Sequence, residues 1–554
     1  MKSTMMSTQL SLNRLLDYGT GMFPGAEIVS RLPDKSFRKH SFAQFGERAR
    51  SLASALKKLG LRKGDRVATL CWNHHAHLEA YFGIPAAGGV MHTLNLRLAP
   101  DEIGWIAHHA EDRFLIIDDI LLPLYEQFAK LHRFERVIVY PFSGAPVATR
   151  AGDPHEGEPA VDDYEQLLRD APAGFEYVEH DENDPVAMCY TSGTTGKPKG
   201  VVYSHRSTVL HTMSICLPDF IALQVRDVVL PVTPMVHANS WGIPYAAVMQ
   251  GSKIVFPGPH LHADDLLDLM QAEPPTIALG VPTIWLSLIQ AYEANPGRWT
   301  LPKGFRSLVG GAAVPEGLIR AFAKHGLSIQ QGWGMTETSP LATVFYEKPE
   351  LKGRLTEDDW HARRTLAGVM VPLVEFRLID EQGQVVPWNG KDVGELQVRG
   401  PYITGAYHDV PQDPDKFTAD GWLRTGDVAA IDEYGYMRIA DRTKDLIKSG
   451  GEWISSVDLE NAIMGHPAVA EAAVVAVAHP KWTERPLACV VLKPGASLGA
   501  EELRTYLSDK MARWQVPDAI KFVEAIPRTS TGKFWKMKLR EQFRDWKWPE
   551  GTGG

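Results

Sequence analysis

Short apolar runs alternate with helix-spaced segments along most of this chain. Arg66-Val-Ala-Thr-Leu-Cys71, Phe114-Leu-Ile-Ile-Asp118, Arg136-Val-Ile-Val-Tyr140, Val228-Val-Leu-Pro-Val232, Lys253-Ile-Val-Phe256 and Thr276-Ile-Ala-Leu-Gly280 are strand-length and bounded by polar residues. Between many of them lie helical patterns: Leu78 to Ala87, interrupted by Pro85; Asp264 to Met270; and Pro315 to Phe322. Strands alternating with helices predict α/β layers around parallel sheet. Residues 143–176 are rich in Gly, Pro, Asp and Glu and read as a surface excursion.

The pattern changes near Asp441. Before it, Gly394 to Arg399 and Tyr436 to Ala440 have the half-exposed character of antiparallel strands. After it come a helix from Asp458 to Met464, an apolar strand from Ala472 to Ala478, a strand from Leu487 to Leu492, and a helix from Ala500 to Met511. The predicted architecture is a large N-terminal α/β domain of layered sheets and helices, residues 1–440, with a small α+β C-terminal lid domain, residues 441–554. The boundary falls at Asp441-Arg442.

Composition narrows the class. At 44% hydrophobic and 23% charged residues, the 554-residue chain is ordinary globular material with enough apolar surface for large cores. Its net charge of −9 lacks a basic nucleic-acid footprint, so no nucleic-acid partner is expected. Four cysteines without a CxxC pair exclude a disulfide scaffold and a thiolate zinc site, and fit a reducing cytosol. No apolar run nears the roughly 20 residues of a membrane span, and the N-terminus lacks the apolar core of a secretory signal. A cytoplasmic enzyme, with peripheral membrane contact as the alternative, is the expectation.

The densest chemistry lies in Tyr190-Thr-Ser-Gly-Thr-Thr-Gly-Lys-Pro-Lys-Gly200. Its glycines let backbone N–H groups turn inward as an anion-binding concavity; the hydroxyls add donors and the lysines add charge, which suits a polyphosphate. It is not the NTPase P-loop, because only two residues separate Gly193 from Gly196 and Lys197 precedes a proline. The cluster Cys71-Trp-Asn-His-His-Ala-His77 offers metal-ligand types without separated partners at a zinc-like spacing, so packing at a helix start is expected.

The loop resembles the signature of the adenylate-forming superfamily: acyl-CoA synthetases, peptide-synthetase adenylation domains and firefly-type luciferases. Four further motifs of that family follow in order: Gln331-Gly-Trp-Gly-Met-Thr-Glu-Thr338, Gly421-Trp-Leu-Arg-Thr-Gly-Asp427, Asp441-Arg-Thr-Lys-Asp-Leu-Ile-Lys-Ser-Gly-Gly-Glu452 and Pro527-Arg-Thr-Ser-Thr-Gly-Lys533. The resemblance covers essentially the whole chain and implies ATP, Mg²⁺ and CoA as cofactor and co-substrates, a carboxylic acid as substrate, and frequent homodimerisation through the large domain.

The resemblance also assigns roles. Thr191, Ser192, Gly193, Thr194, Thr195 and Lys199 would hold phosphates; Gln331, Gly332 and Trp333 would lie along the adenine, with Trp333 at a position that is often tyrosine. Thr336 would touch the α-phosphate, and Glu337 with Thr191 would hold Mg²⁺. Gly311 would lie at the acyl-adenylate, while Asp427, whose two oxygens match two ribose hydroxyls, would bind the ribose with Arg442 beside it. Lys533 would be the adenylation lysine, aimed at the charge that develops on phosphate oxygens; Lys536 and Lys538 are expected to face solvent. Rotation about Asp441-Arg442 would then withdraw Lys533 and bring in Ser449-Gly450-Gly451-Glu452 as a pantetheine tunnel. Lys444, Lys448 and Trp453 look like ligand contacts in one of these two states.

Pro234-Met-Val-His-Ala-Asn-Ser-Trp-Gly242 bears on the acid. It is most similar to medium- and long-chain fatty acyl-CoA synthetases, in which His237 would lie near the carboxylate and Trp241 would gate the acyl tunnel. Gly280-Val-Pro-Thr-Ile-Trp285 reads as an acyl-pocket wall. These segments hold no charged or phenol-reading group, which favours an apolar chain. Short thioether-bearing, branched or aryl acids would meet similar walls. Loading of a carrier protein and a luciferase-like oxygenase are the alternatives in acceptor chemistry.

Overall fold

The computed structural model describes residues 1, 3–152, 158–191, 197–449, 452–529 and 532–548. Two large sheets dominate the N-terminal part. The first has nine strands, with a parallel centre of Glu27–Arg31, Lys253–Phe256, Val228–Pro231, Ile277–Gly280, Arg306–Val309 and Ser328–Gly334. Antiparallel strands close its edges. The second has seven strands, parallel from Ala160–Asp163 through Arg136–Tyr140, Phe114–Asp118, Arg66–Leu70 and Val90–Thr93 to Pro185–Tyr190, with antiparallel Gly200–Ser204 at its end. The helix His75–Ala86 is buried along its whole length, whereas Phe42–Lys58 turns one apolar face to the core and leaves Gln44, Glu47, Lys57 and Lys58 exposed.

Two smaller sheets complete the chain. Glu375–Ile379, Gly394–Arg399, Leu423–Ile431 and Met437–Arg442 form an antiparallel four-stranded sheet. Ile447–Ser449 begins a separate five-stranded sheet around the long hairpin of Val469–His479 and Thr483–Leu492, with the helices Ser456–Met464 and Ala500–Ser508 on its own core. The large α/β and small α+β architecture is therefore as expected from the sequence.

Three expectations need correction. Residues 143–176 are not merely a surface excursion: they contain the edge strand Ala160–Asp163 and the helix Tyr164–Arg169. Tyr164 is fully buried there and donates to Glu79, and Arg48 bridges Glu79 and Glu165. Lys536 does not face solvent. Its ammonium lies 2.7 Å from Glu460 and donates to Ser456, whose own N–H and hydroxyl donate to Asp441 at 2.7 and 2.6 Å. Burial pushes the Glu460 carboxyl up to about 7, and Lys536 opposes that shift. Trp285 is a core residue, packed edge-on against Phe305 and Phe322 rather than lining the acyl side. The histidine cluster does open a helix: His74 caps His75–Ala86, with its Nδ1 accepting from the His77 N–H and its Nε2 2.8 Å from the buried Asp118. Among the described residues no helix is long and apolar enough to cross a membrane.

Candidate active site

Parallel strands present their carboxyl ends to one side of a sheet, where connecting segments gather into sites. Here Val228–Pro231 leads to His237 and Trp241, Ile277–Gly280 to Val281, and Arg306–Val309 to Gly310 and Gly311. Ser328–Gly334 carries Gln331, Gly332 and Trp333 and leads to Thr336 and Glu337; from the other large sheet, Pro185–Tyr190 delivers Thr191. The segments meet at close range. A Cβ on Gly310 would lie 3.0 Å from the Gly332 carbonyl and 3.4 Å from the Trp241 ring, so a side chain there would crowd both neighbours. Gly311, at φ +83°, has Lys533 Cε 3.4 Å and Val281 Cγ1 3.5 Å from where its Cβ would stand.

Lys533 thus reaches from the small domain onto Gly311. Thr529 and Lys533 hold its loop closed, the Thr529 N–H donating to the Lys533 carbonyl at 2.8 Å. Burial pulls the Lys533 ammonium down to about 8; Arg442 adds to that pull, while Asp427 and Glu337 oppose it. A cation is thereby held among two carboxylates and a guanidinium before any substrate arrives, the preorganised arrangement that stabilises developing anionic charge.

Asp427 and Arg442 are directly opposed across the strands Leu423–Ile431 and Met437–Arg442. That register brings Arg442 Nε to 2.6 Å from Asp427 Oδ1, and Trp333 Nε1 donates to Oδ2 at 2.8 Å. Gln331 is buried, and its side-chain oxygen accepts from the Val314 N–H at 3.0 Å, pinning the segment after Gly311.

Glu337 is 7% exposed, and its Oε1 accepts from the Tyr407 hydroxyl at 2.7 Å; its second oxygen takes no bond from a described residue. Thr336 is buried, with its carbonyl accepting from Tyr203 at 2.8 Å. Thr191 and Lys199 close the base of the glycine-rich loop by two mutual hydrogen bonds of 3.0 and 3.1 Å. The Lys199 ammonium sits 4.8 Å over the Tyr407 ring. Tyr407 therefore orients both a carboxylate and a lysine, a role that sequence reading missed. Ser192, Gly193, Thr194 and Thr195 lie outside the described residues, as do Gly450 and Gly451.

On the acyl side, burial and the nearby Lys533 pull His237 down to about 3, so it is a neutral imidazole at physiological pH. It lines a recess with Thr191, Tyr190, Val236 and Leu98. The next four residues, Ala238, Asn239, Ser240 and Trp241, all have φ between 42° and 57°, and Gly242 follows at 75°. This is a full left-handed turn made largely of non-glycine residues, a conformation that costs roughly 1–2 kcal/mol per residue. Ser240 donating to the Thr233 carbonyl at 2.8 Å and Cys189 donating to Asn239 at 3.2 Å restrain it. Its product is the placement of the 7%-exposed Trp241 ring against Gly310.

Not every anticipated residue joins this cluster. Lys448 and Trp453 pair with each other across the hairpin of Ile447–Ser449 and Glu452–Ile454, the ammonium 4.8 Å over the indole. Lys448 also faces Glu381 at 4.0 Å. Lys444 is exposed, two residues after the strand Met437–Arg442.

Comparison with known proteins fits this geometry. Residues 20–408 match the AMP-binding enzyme family, and residues 458–533 match the AMP-binding enzyme C-terminal domain. The chain belongs to the AMP-binding enzymes. This AMP-binding enzyme is 46% identical over 546 residues to a long-chain-fatty-acid–CoA ligase of Thermus thermophilus, covering 98% of this chain and 97% of that one. It is 43% identical over 548 residues to a 3-methylmercaptopropionyl-CoA ligase of Ruegeria pomeroyi, covering 98% and 99%. Its fold is similar to that of the anthranilate CoA ligase AuaEII in complex with anthranoyl-AMP, with a TM-score of 0.84 and 24% identity over 98% and 99% of the two chains.

Proposed function

We propose that this enzyme is an ATP-dependent acid–CoA ligase acting on medium- or long-chain fatty acids. The observation that carries the reading is Lys533 on Gly311, flanked by Asp427, Arg442 and Glu337 and bordered on the acyl side by the uncharged Trp241 and Val281. A carboxylate oxygen attacks the α-phosphorus of ATP, the bond to the bridging oxygen breaks, and pyrophosphate leaves. Lys533 meets the charge that builds on the phosphate oxygens, and Thr336 contacts the α-phosphate. Asp427 takes the ribose hydroxyls, and Gln331, Gly332 and Trp333 form the adenine platform, with Lys199 and the glycine-rich loop on the phosphates. Neutral His237 hydrogen-bonds the acid without competing for its charge.

Glu337 and Thr191 are hard oxygen donors, and a carboxylate with one oxygen unbonded among the described residues suits Mg²⁺, which takes one or two protein ligands beside phosphate oxygens. Bound there, Mg²⁺ would neutralise phosphate charge. The small domain then turns about Asp441-Arg442, Lys533 withdraws, and the segment of Lys448, Gly450, Gly451 and Trp453 faces the cleft. The CoA sulfur attacks the acyl carbonyl, and AMP leaves with the bond electrons. Homodimerisation and a cytoplasmic location belong to the same reading and rest on the family resemblance.

The relationship to a 3-methylmercaptopropionyl-CoA ligase supports a second reading, a short thioether acid against the same apolar walls. Thioester formation with ATP, Mg²⁺ and CoA, followed by mass spectrometry over short, medium, long-chain, thioether and aryl acids, separates the two. The expected result is a kcat/KM maximum at medium or long chains. A maximum at the thioether acid favours the second reading, and acyl-AMP without acyl-CoA overturns CoA as the acceptor.

A further inference from the structure

We infer that Trp333 is a positioning residue for the ribose-binding carboxylate, its indole N–H fixing Asp427 so that two lone pairs stay aimed at the ribose hydroxyls. The inference deepens the proposed function and rests on its assignment of Asp427 to the ribose.

A carboxylate offers about four acceptor sites on its two oxygens. In Asp427 the Oδ2 oxygen accepts from Trp333 Nε1 at 2.8 Å, while Oδ1 is held by the charge of Arg442, whose Nε lies 2.6 Å away in an ion pair. Each oxygen keeps an acceptor site, and the two match two neighbouring hydroxyls. Without the indole, the 2%-exposed carboxylate keeps Arg442 as its anchor on Oδ1 and loses its restraint on Oδ2.

The backbone supports this aim. The strand pairing of Ser328–Gly334 shifts register between Trp333 and Gly334, and that of Leu423–Ile431 shifts between Val428 and Ala429, one residue past Asp427. Such irregularities re-aim side chains and recur beside active sites. Both members of the pair sit beside one, and the two residues are 94 positions apart in sequence. The Trp333 backbone is held as well, its N–H donating to Thr343 Oγ1 at 3.1 Å. An indole thus joins the adenine platform to the ribose acceptor, a link that a phenyl ring would leave out.

The test compares wild type, Trp333→Phe, and the enzyme carrying β-(3-benzothienyl)alanine at position 333, an indole-shaped residue without the N–H. For each, kcat/KM is measured with ATP and with 2′-deoxy-ATP and 3′-deoxy-ATP, alongside binding of adenine by fluorescence. In both variants kcat/KM for ATP is expected to fall about tenfold while that for the deoxynucleotides changes little, so ribose discrimination collapses. Binding of adenine, which reads the stacking platform without the ribose, stays within about twofold for the benzothienyl isostere. Discrimination equal to wild type in the isostere overturns the inference and leaves Asp427 as a ribose ligand. If wild type itself makes no distinction between ATP and the deoxynucleotides, the ribose assignment of Asp427 fails first, and the inference with it.

Discussion

Lys533 combines a buried setting with a charge it must keep. Since its ammonium is pulled down to about 8 in the free enzyme, raising the pH through 8 removes the cation that the proposed adenylation step uses. The limb of kcat/KM for ATP, measured by pyrophosphate exchange, is expected to fall above pH 8. Bound polyphosphate adds negative charge beside the lysine, so the corresponding limb of kcat lies at higher pH. His237, held neutral down to about 3, contributes no limb between pH 5 and 8. A pH-independent kcat/KM between 7 and 10 contradicts this account of Lys533. The residues of the ordered motifs were legible because each motif is local. Tyr407 was not: it meets Glu337 across 70 positions, and nothing in its own neighbourhood distinguishes it from a packed aromatic. The same holds for the hydrogen bond between Trp333 and Asp427, which joins two motifs 94 positions apart.

Among the elements, strands were legible almost to the residue, both the continuously apolar Phe114–Asp118 and the half-exposed Gly394–Arg399. The helix Tyr164–Arg169 was hidden by the polar composition around it; it docks through one buried tyrosine and an arginine bridge rather than a broad apolar face. The left-handed turn after His237 has no signature either, since glycine appears only at its end and tertiary hydrogen bonds impose the rest. In the small domain, the helices Ser456–Met464 and Lys536–Gln542 are tied by Lys536 between Glu460 and the Ser456–Asp441 pair. Lys536→Met leaves two buried carboxyl groups without their cation and is expected to destabilise the small domain by about 3–5 kcal/mol in urea unfolding. Adding Glu460→Leu is expected to recover part of that loss, because the remaining apolar pair no longer desolvates a lone charge. Equal stability of wild type and Lys536→Met sinks this view of the network.

Across the whole molecule, two sheets built for burial on both faces supply a rigid floor, and a small unit brings the decisive cation to it. Asp441 stands at the junction in an unusual way. Its backbone pairs with Val428 of the four-stranded sheet, while its side chain accepts from Ser456 at the start of a small-domain helix. In the proposed cycle, torsion near this residue would swing the small unit as one lever, and a large backbone rotation here would carry Lys533 away from Gly311. Such a lever moves against solvent, so its rate carries friction that bond making does not. Complete turnover is then expected to slow in proportion to relative viscosity in sucrose, whereas pyrophosphate exchange, which runs with Lys533 already docked, slows far less. Equal sensitivity of both assays would argue against the swing as the slow event. In the proposed cycle, the half-buried lysine arm would work as a clock for the enzyme, marking off each half of the cycle by the drag on its own withdrawal.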